Sequence, residues 1–494
     1  MPSTSIARPV PGTDRIYGPA SAALAVALVV IAYRLALGFL DRTELSTDEA
    51  QYWFWGQSLE FGAYSKPPLI GWITRASTDL FGQSVAAVRL PAVLLHAATA
   101  AVIFACARRL APQPAAWLAA LLYLVSPAVA LGSALMTTDT PLLLAAAVVL
   151  LAQLRAGEAN AAGLRSPGAA VVLGLALGLG LLAKHAMLFW LLGATIASLV
   201  SPAFRPSRAD LLLAGGILLA VVTPHLVWLA QHGFITFRHI EAITQGPGLS
   251  LLRPLRFLAE QFVVAGPICF AAMALAILRD RTDPALAALA LTPVLIIMAQ
   301  GVKGPVLANW AVLYLVPGTI LAGQVLVMHR WLALLSLLLG LSVSAALPLA
   351  KAMGTDLKMP GGEPLLSRYL GHSDVAHWAL DAASAQGADV LIAKDRDLLA
   401  DLSWFSNGSG LAIRAVPPGG TPAHHWEMMA AFQPGDGARP LLLLRSGAPL
   451  RCKDAEVIAQ MTAPPGFAGG DTLLLYRLPY PGCLGATASE GETE

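Results

Sequence analysis

Two acids, Asp48 and Glu49, open the stretch "STDEAQYWFWG" and run straight into Tyr52, Trp53, Phe54 and Trp55. A carboxylate held beside a membrane cavity can take a proton from a hydroxyl, which is the work of a general base. Two plainer readings stand beside that one. Acids in a first helical turn are favoured by the helix dipole by roughly 0.3–1 kcal/mol. Ser46, with Glu49 three residues on, also has the spacing of a capping box. Lys66 in "YSKPPL" precedes a rigid Pro-Pro, and Arg89 lies in "AAVRLP" where an apolar run begins. Basic side chains at such places either snorkel to lipid headgroups or hold a phosphate at the interface. Tyr64, just before them, is a further substrate-binding candidate. Asp139 in "LMTTDTPLLL" is either a first-turn acid or a functional group at membrane depth. Arg238 and His239 in "QHGFITFRHI" and Lys303 in "VKGPVLANW" complete the set, while Lys184-His185 falls between two short apolar runs. The spacing of His225, His232 and His239 forms no compact metal motif, and no Cys/His pattern does so elsewhere. No metal ligands or cofactor are therefore assigned, and no motif supports a divalent cation.

The elements that must position these residues are membrane helices. Hydrophobic residues make up 56% of the 494 positions and charged residues only 13%, about half the share of a soluble domain. The charge is uneven, with residues 1–350 carrying a net +7 and residues 351–494 a net −5. No basic tract supports nucleic-acid binding. Runs of about 20 apolar residues predict approximately eleven spans. They lie near 18–40, 86–106, 113–131, 138–155, 168–183, 186–200, 209–230, 259–279, 285–300, 304–326 and 330–350. The fifth and sixth are short enough to be one re-entrant unit. The first run lacks a small-residue cleavage site and is expected to be retained as a span.

Basic residues recur on alternate connections: Arg8/Arg15, Arg108/Arg109, Arg155/Arg165, Arg205/Arg208, Arg279/Arg281 and Arg330. That pattern puts the N-terminus in the cytoplasm and, with an odd number of spans, the C-terminal domain outside. Asp48, Glu49, Lys66, Arg89, Asp139, Arg238, His239 and Lys303 then share one membrane face. The loop at about 41–85 is expected to form two helices on the outer surface, the first with its aromatics at headgroup level. The second would begin after Pro67-Pro68, with Leu69, Ile73 and Leu80 on one face. Residues 351–494 alternate short apolar runs with turns and helical pieces, the pattern of a small α/β domain. On an oxidising side, Cys452 and Cys483 could pair; Cys106 and Cys269 read as small core residues.

The run from "STDEAQYWFWG" through "YSKPPL", "LFG" and "VRLP" resembles the first outer loop of the GT-C glycosyltransferases, the group of bacterial protein O-mannosyltransferases and aminoarabinose transferase. "TTDTPLL" and "VKGPVLANW" resemble further segments of that group. The resemblance covers most of residues 40–330. It implies transfer of a sugar from a polyprenyl-phosphate donor to a glycan, lipid or protein acceptor outside the cytoplasm, in a bacterial inner membrane. It also implies that Asp48 is the base, that Lys66 and Arg89 meet the donor phosphate, and that Asp139 is a second acidic position. Relatives of aminoarabinose transferase carry an acid before Lys-Pro-Pro, whereas Ser65 stands here. That departure weakens any carry-over of that enzyme's substrate or of a metal. The same cations would suit a transporter or flippase of lipid-linked anions, a reading that no internal repeat supports.

Overall fold

The structure is a computed structural model and describes residues 20–484 apart from 247, 280–282, 434, 449, 451 and 453. Arg8, Arg15 and Arg281, used above for orientation, lie outside the described residues. The chain forms two compact units. One is a helical bundle made of the chain up to Phe39, Lys66–Ile70 and Arg89–Pro348. The other joins Leu40–Ser65 and Gly71–Val88 to the chain from Leu349 onward.

In chain order the first helices are α1 (Ala20–Phe39), α2 (Thr47–Ser58), α3 (Leu69–Phe81) and α4 (Val85–Leu110). The bundle continues through α5 (Gln113–Val125), α6 (Pro127–Ala134), α7 (Asp139–Ala161), α8 (Pro167–Ala183), α9 (Met187–Val200) and α10 (Arg208–Gln231). After α11 (Ile235–Thr244) come α12 (Leu252–Val264), α13 (Pro267–Ile277), α14 (Pro284–Lys303), α15 (Leu315–Leu326) and α16 (Arg330–Met353).

Among the described residues, seven helices are long and apolar enough to cross a membrane, or nine if each of two bent pairs makes one span. Those pairs are α5–α6, bent by 53°, and α12–α13, bent by 115°. They coincide with the continuous runs expected at 113–131 and 259–279. Proline explains both breaks, since Pro127 and Pro267 each stand at a helix start, where the missing N–H costs nothing. The fifth and sixth runs form the two short helices α8 and α9. Such a chain is a multi-pass membrane protein.

Close helix approach in the bundle rests on small residues, as is usual where lipid removes the hydrophobic drive for association. A Cβ on Gly174 of α8 would stand 2.5 Å from the Ala214 carbonyl oxygen of α10. Polar side chains then tie helices together. Arg34, only 3% exposed, donates from α1 to the Leu124 carbonyl at 2.9 Å and to the Ser133 and Ser344 hydroxyls at 3.0 Å.

The second unit carries α17 (His372–Ala385), β1 (Val390–Ala393), α18 (Arg396–Phe405), β2 (Ala412–Ala415), α19 (His425–Met429), β3 (Pro440–Arg445), β4 (Glu456–Thr462) and β5 (Thr472–Arg477). The strands form one sheet in the order β2-β1-β3-β5-β4. β2, β1 and β3 are parallel, while β5 runs antiparallel between β3 and β4. Every residue of β1 is buried, as befits a strand in the parallel part of a covered sheet. Cys452 and Cys483 form a disulfide with Cα atoms 5.3 Å apart.

The chain after α1 belongs to this unit by specific bonds. Lys351 pairs with Asp41 at 2.9 Å with both side chains nearly inaccessible. Glu44 accepts from the His372 and Ser373 amides at 2.6 and 3.1 Å. His372 is buried, its Nδ1 2.9 Å from Asp401 and its Nε2 3.1 Å from the Arg368 carbonyl, and its ring stacks on Phe467.

Helices α2 and α3 cross through Gly56 and Gly71, where a Cβ on Gly56 would lie 2.5 Å from the Gly71 oxygen. The aromatics of α2 are not lipid anchors, which corrects the headgroup expectation. Tyr52, Trp53 and Trp55 are buried. Trp53 meets Trp404 edge-on, and Phe54 stacks on Trp426 at 4.8 Å. On α3 the buried residues are Ile70, Gly71, Thr74, Ser77 and Thr78, Leu69 and Ile73 are half-buried, and Leu80 and Phe81 are exposed. Of the expected apolar face, only Leu80 therefore turns outward.

Candidate active site

The second unit holds Asp48, Glu49 and Tyr64. Ser46 caps α2 from an extended conformation, accepting from the Glu49 amide at 3.3 Å, while Glu49 Oε2 accepts from the Ser46 amide at 3.0 Å. The buried Glu49 carboxylate thus completes the capping box, the plainer of its two readings. Asp48 lies beside it in the same first turn but turns outward, its side chain 54% exposed. Its Oδ1 accepts from Arg396 Nη1 at 2.8 Å. Arg396 also reaches Gln51 Oε1 at 3.3 Å. Tyr64 is buried, and its amide donates to His425 Nδ1 at 3.4 Å. Burial, and after it the Glu427 carboxylate, pushes the Tyr64 phenol above its ordinary pKa.

The bundle holds the other expected residues and brings Asp139 into a polar cluster. Asp139 opens α7, and its Oδ1 pairs with Lys184 Nζ at 2.6 Å while Oδ2 accepts from Asn309 at 2.9 Å. Both oxygens are thereby occupied, which suits a carboxylate that fixes its neighbours better than one that collects a proton. Lys184, the residue at the C-terminal cap of α8, is followed by His185, whose Nε2 lies 3.1 Å from Nε2 of His225. Phe237 stacks on His185 at 4.9 Å. Lys66 lies near enough to act on His185 electrostatically, and Pro67 and Pro68 after it are buried. Arg89 is 5% exposed within α4. His239 is half-buried on α11, while Arg238 on that helix and Lys303 at the end of α14 are exposed.

Sequence reasoning missed Arg396 as a partner of Asp48. Its only signal was the "KDRD" charge cluster following a strand-like run. Lys184 stood in view, but nothing in its neighbourhood fixed its depth. Among the described residues, no three His, Cys, Asp or Glu side chains are grouped to hold a metal ion.

Residues 65–228 match the family described as dolichyl-phosphate-mannose-protein mannosyltransferase. The chain is 36% identical over 469 residues to the lipid A galacturonosyltransferase RgtD of Rhizobium johnstonii, an alignment covering 92% of this chain and 97% of that one. The fold is similar to that of ArnT from Cupriavidus metallidurans in the apo state. That likeness has a TM-score of 0.62 at 15% identity, over 92% of this chain and 97% of the other. ArnT bound to undecaprenyl phosphate gives a TM-score of 0.58 at 16% identity, over 96% and 99%. With its motifs, helical architecture and near-full-length relative in agreement, the chain belongs to the GT-C superfamily of glycosyltransferases.

Proposed function

We propose that this glycosyltransferase moves a sugar from a polyprenyl-phosphate donor onto lipid A at the periplasmic face of a bacterial inner membrane. The observation that carries this reading is the 36% identity, over nearly the full length of both chains, to a lipid A galacturonosyltransferase. A galacturonosyl donor is accordingly the first to test. Asp48 takes the acceptor proton, and attack opposite the leaving phosphate inverts the anomeric carbon. Lys66 and Arg89 meet the phosphate that departs, a group that needs cationic stabilisation rather than a strong acid. Asp139 holds Lys184 in place. Tyr64, Arg238, His239 and Lys303 are candidates for further substrate contacts. Counting the seven long helices, the two bent pairs and the two short apolar helices as crossings gives eleven. An odd number, with the N-terminus cytoplasmic, places the C-terminal domain of residues 351–494 in the periplasm and leaves residues 1–350 as the membrane domain.

The test uses purified protein in detergent with polyprenyl-phosphate galacturonic acid and lipid A, read by mass spectrometry. Addition of a sugar to lipid A in the absence of any second compartment supports transfer and excludes transport alone. Asp48→Asn is expected to lower turnover roughly 10²–10⁴-fold, the usual worth of a positioned base. Near-normal turnover in that variant would remove Asp48 from the role, and modification of a glycan or protein in place of lipid A would reassign the acceptor.

A further inference from the structure

Arg396 opens α18, directly after the loop that leaves β1, and its guanidinium grips Oδ1 of Asp48 at 2.8 Å. The residues on either side of it, Asp395 and Asp397, are both held by one side chain. Arg445 at the end of β3 pairs with Asp395 at 2.7 Å and Asp397 at 2.5 Å, and its Nε reaches Asp471 at 2.9 Å. The backbone carrying Arg396 is therefore clamped from the sheet. Packing clamps it from below, through Trp53 against Trp404 and through Trp426, whose indole N–H donates to Ser403 at 3.0 Å. Yet the pair so carefully placed is exposed, 43% at Arg396 and 54% at Asp48. An ion pair this open contributes little to stability. Stability alone does not account for a three-carboxylate anchor behind it. Among the described residues, Oδ2 of Asp48 accepts no hydrogen bond.

We propose that Arg396 is a positioning residue for Asp48, holding Oδ1 so that Oδ2 faces the acceptor hydroxyl, and that Arg445 fixes Arg396 through Asp395 and Asp397. The inference rests on the assignment of Asp48 as base. In the step it serves, the acceptor oxygen forms its bond to the anomeric carbon and passes its proton to Oδ2. The bond from that carbon to the donor phosphate oxygen breaks, and the phosphate leaves with the electron pair. Arg396 exchanges no proton.

Steady-state transfer with donor and acceptor varied separately tests this. Arg396→Gln is expected to lower kcat roughly 10- to 100-fold, the cost of a misplaced reacting group, with the donor KM little changed. Arg396→Lys, which keeps a cation, recovers most of the loss. Arg445→Gln lowers kcat in the same sense, and the double variant is no worse than Arg396→Gln alone, because Arg445 acts only through Arg396. A merely structural pair would give additive losses and no rescue by lysine. Turnover within two-fold of the unmodified protein in folded Arg396→Gln overturns the proposal, as does a lysine variant no better than the glutamine one. If Arg445→Gln fails to fold, the exposed Arg396 variants decide the matter alone. Asp48→Asn in the same preparations separates the two ideas. Loss of turnover there with none in Arg396→Gln removes only the positioning role, whereas retained turnover removes the base assignment and the positioning role with it.

Discussion

Both ring nitrogens of His372 face groups that can only accept, the Asp401 carboxylate and the Arg368 carbonyl. An imidazole that donates twice is an imidazolium. Burial works against that charge, but the hydrogen bond and charge of Asp401 outweigh it, and the His372 pKa lies above its ordinary 6.5. A histidine whose folded value is raised contributes its stability below the unfolded value and loses it as pH rises through the folded one. Thermal unfolding of the protein should therefore begin earlier as pH climbs from 6.5 upward. His372→Gln should flatten that dependence and cost roughly 3–5 kcal/mol, because Asp401 is left buried and unpaired. A pH-independent midpoint in the unmodified protein would count against the ion pair. At this same scale the sequence was partly readable. Ser46 and Glu49 announced a capping box by spacing alone, and that is where the structure puts them. The outward turn of Asp48 toward Arg396, 348 positions away, had no local signature.

Helices and strands were legible in proportion to how strongly their own residues demanded them. The apolar runs at β1, β3 and β5 stood out because those strands fill the sheet interior. β2 and β4 are edge strands, and the exposed, mixed residues of β4 carry little pattern to read. The α3 helix shows the opposite limit. Its apolar residues predicted a face of Leu69, Ile73 and Leu80, but the fully buried face bears Ile70, Gly71, Thr74, Ser77 and Thr78. Small and hydroxylated side chains let α3 approach α2 closely, and Thr74 Oγ1 donates to the Tyr52 carbonyl at 3.1 Å. Gly56→Val should force that crossing apart at a cost of roughly 1–3 kcal/mol, the usual price of overpacking. Gly168→Ala, where nothing lies within 4 Å of the added carbon, serves as its control. Equal thermal midpoints for the two variants would contradict the close crossing.

At the scale of the molecule, the residue types divided the chain near position 350, where charge density rises. The contacts divide it differently, since Leu40–Ser65 and Gly71–Val88 pack with the chain from Leu349 onward. Composition could not show this, because the partner of α2 is set by packing against Trp404 and Trp426 rather than by polarity. The proposed orientation makes its own prediction through Cys452 and Cys483. Their bond closes a sequence separation of 31 residues, which the chain-entropy account rates at about 3–4 kcal/mol. If the domain lies in the periplasm, these two thiols should resist a membrane-impermeant maleimide in intact cells until a reductant is added. Labelling without reductant would argue against the bond, and no labelling even after reduction would argue against the location.

The split composition of the second unit also sets a schedule for biogenesis. About 260 residues separate Val88 from Leu349. Synthesis at 5–20 residues per second leaves roughly 13–50 s in which α2 has emerged and its partner has not. Throughout that interval Trp53 and Phe54 have no Trp404 or Trp426 to cover them, and Trp55 has no His425. The nascent protein must therefore pass through a long-lived stage with an uncapped aromatic surface beside Asp48. If Asp48 is the base, a chain ending before Arg396 lacks its positioning partner, so truncated products should be inert as well as sticky.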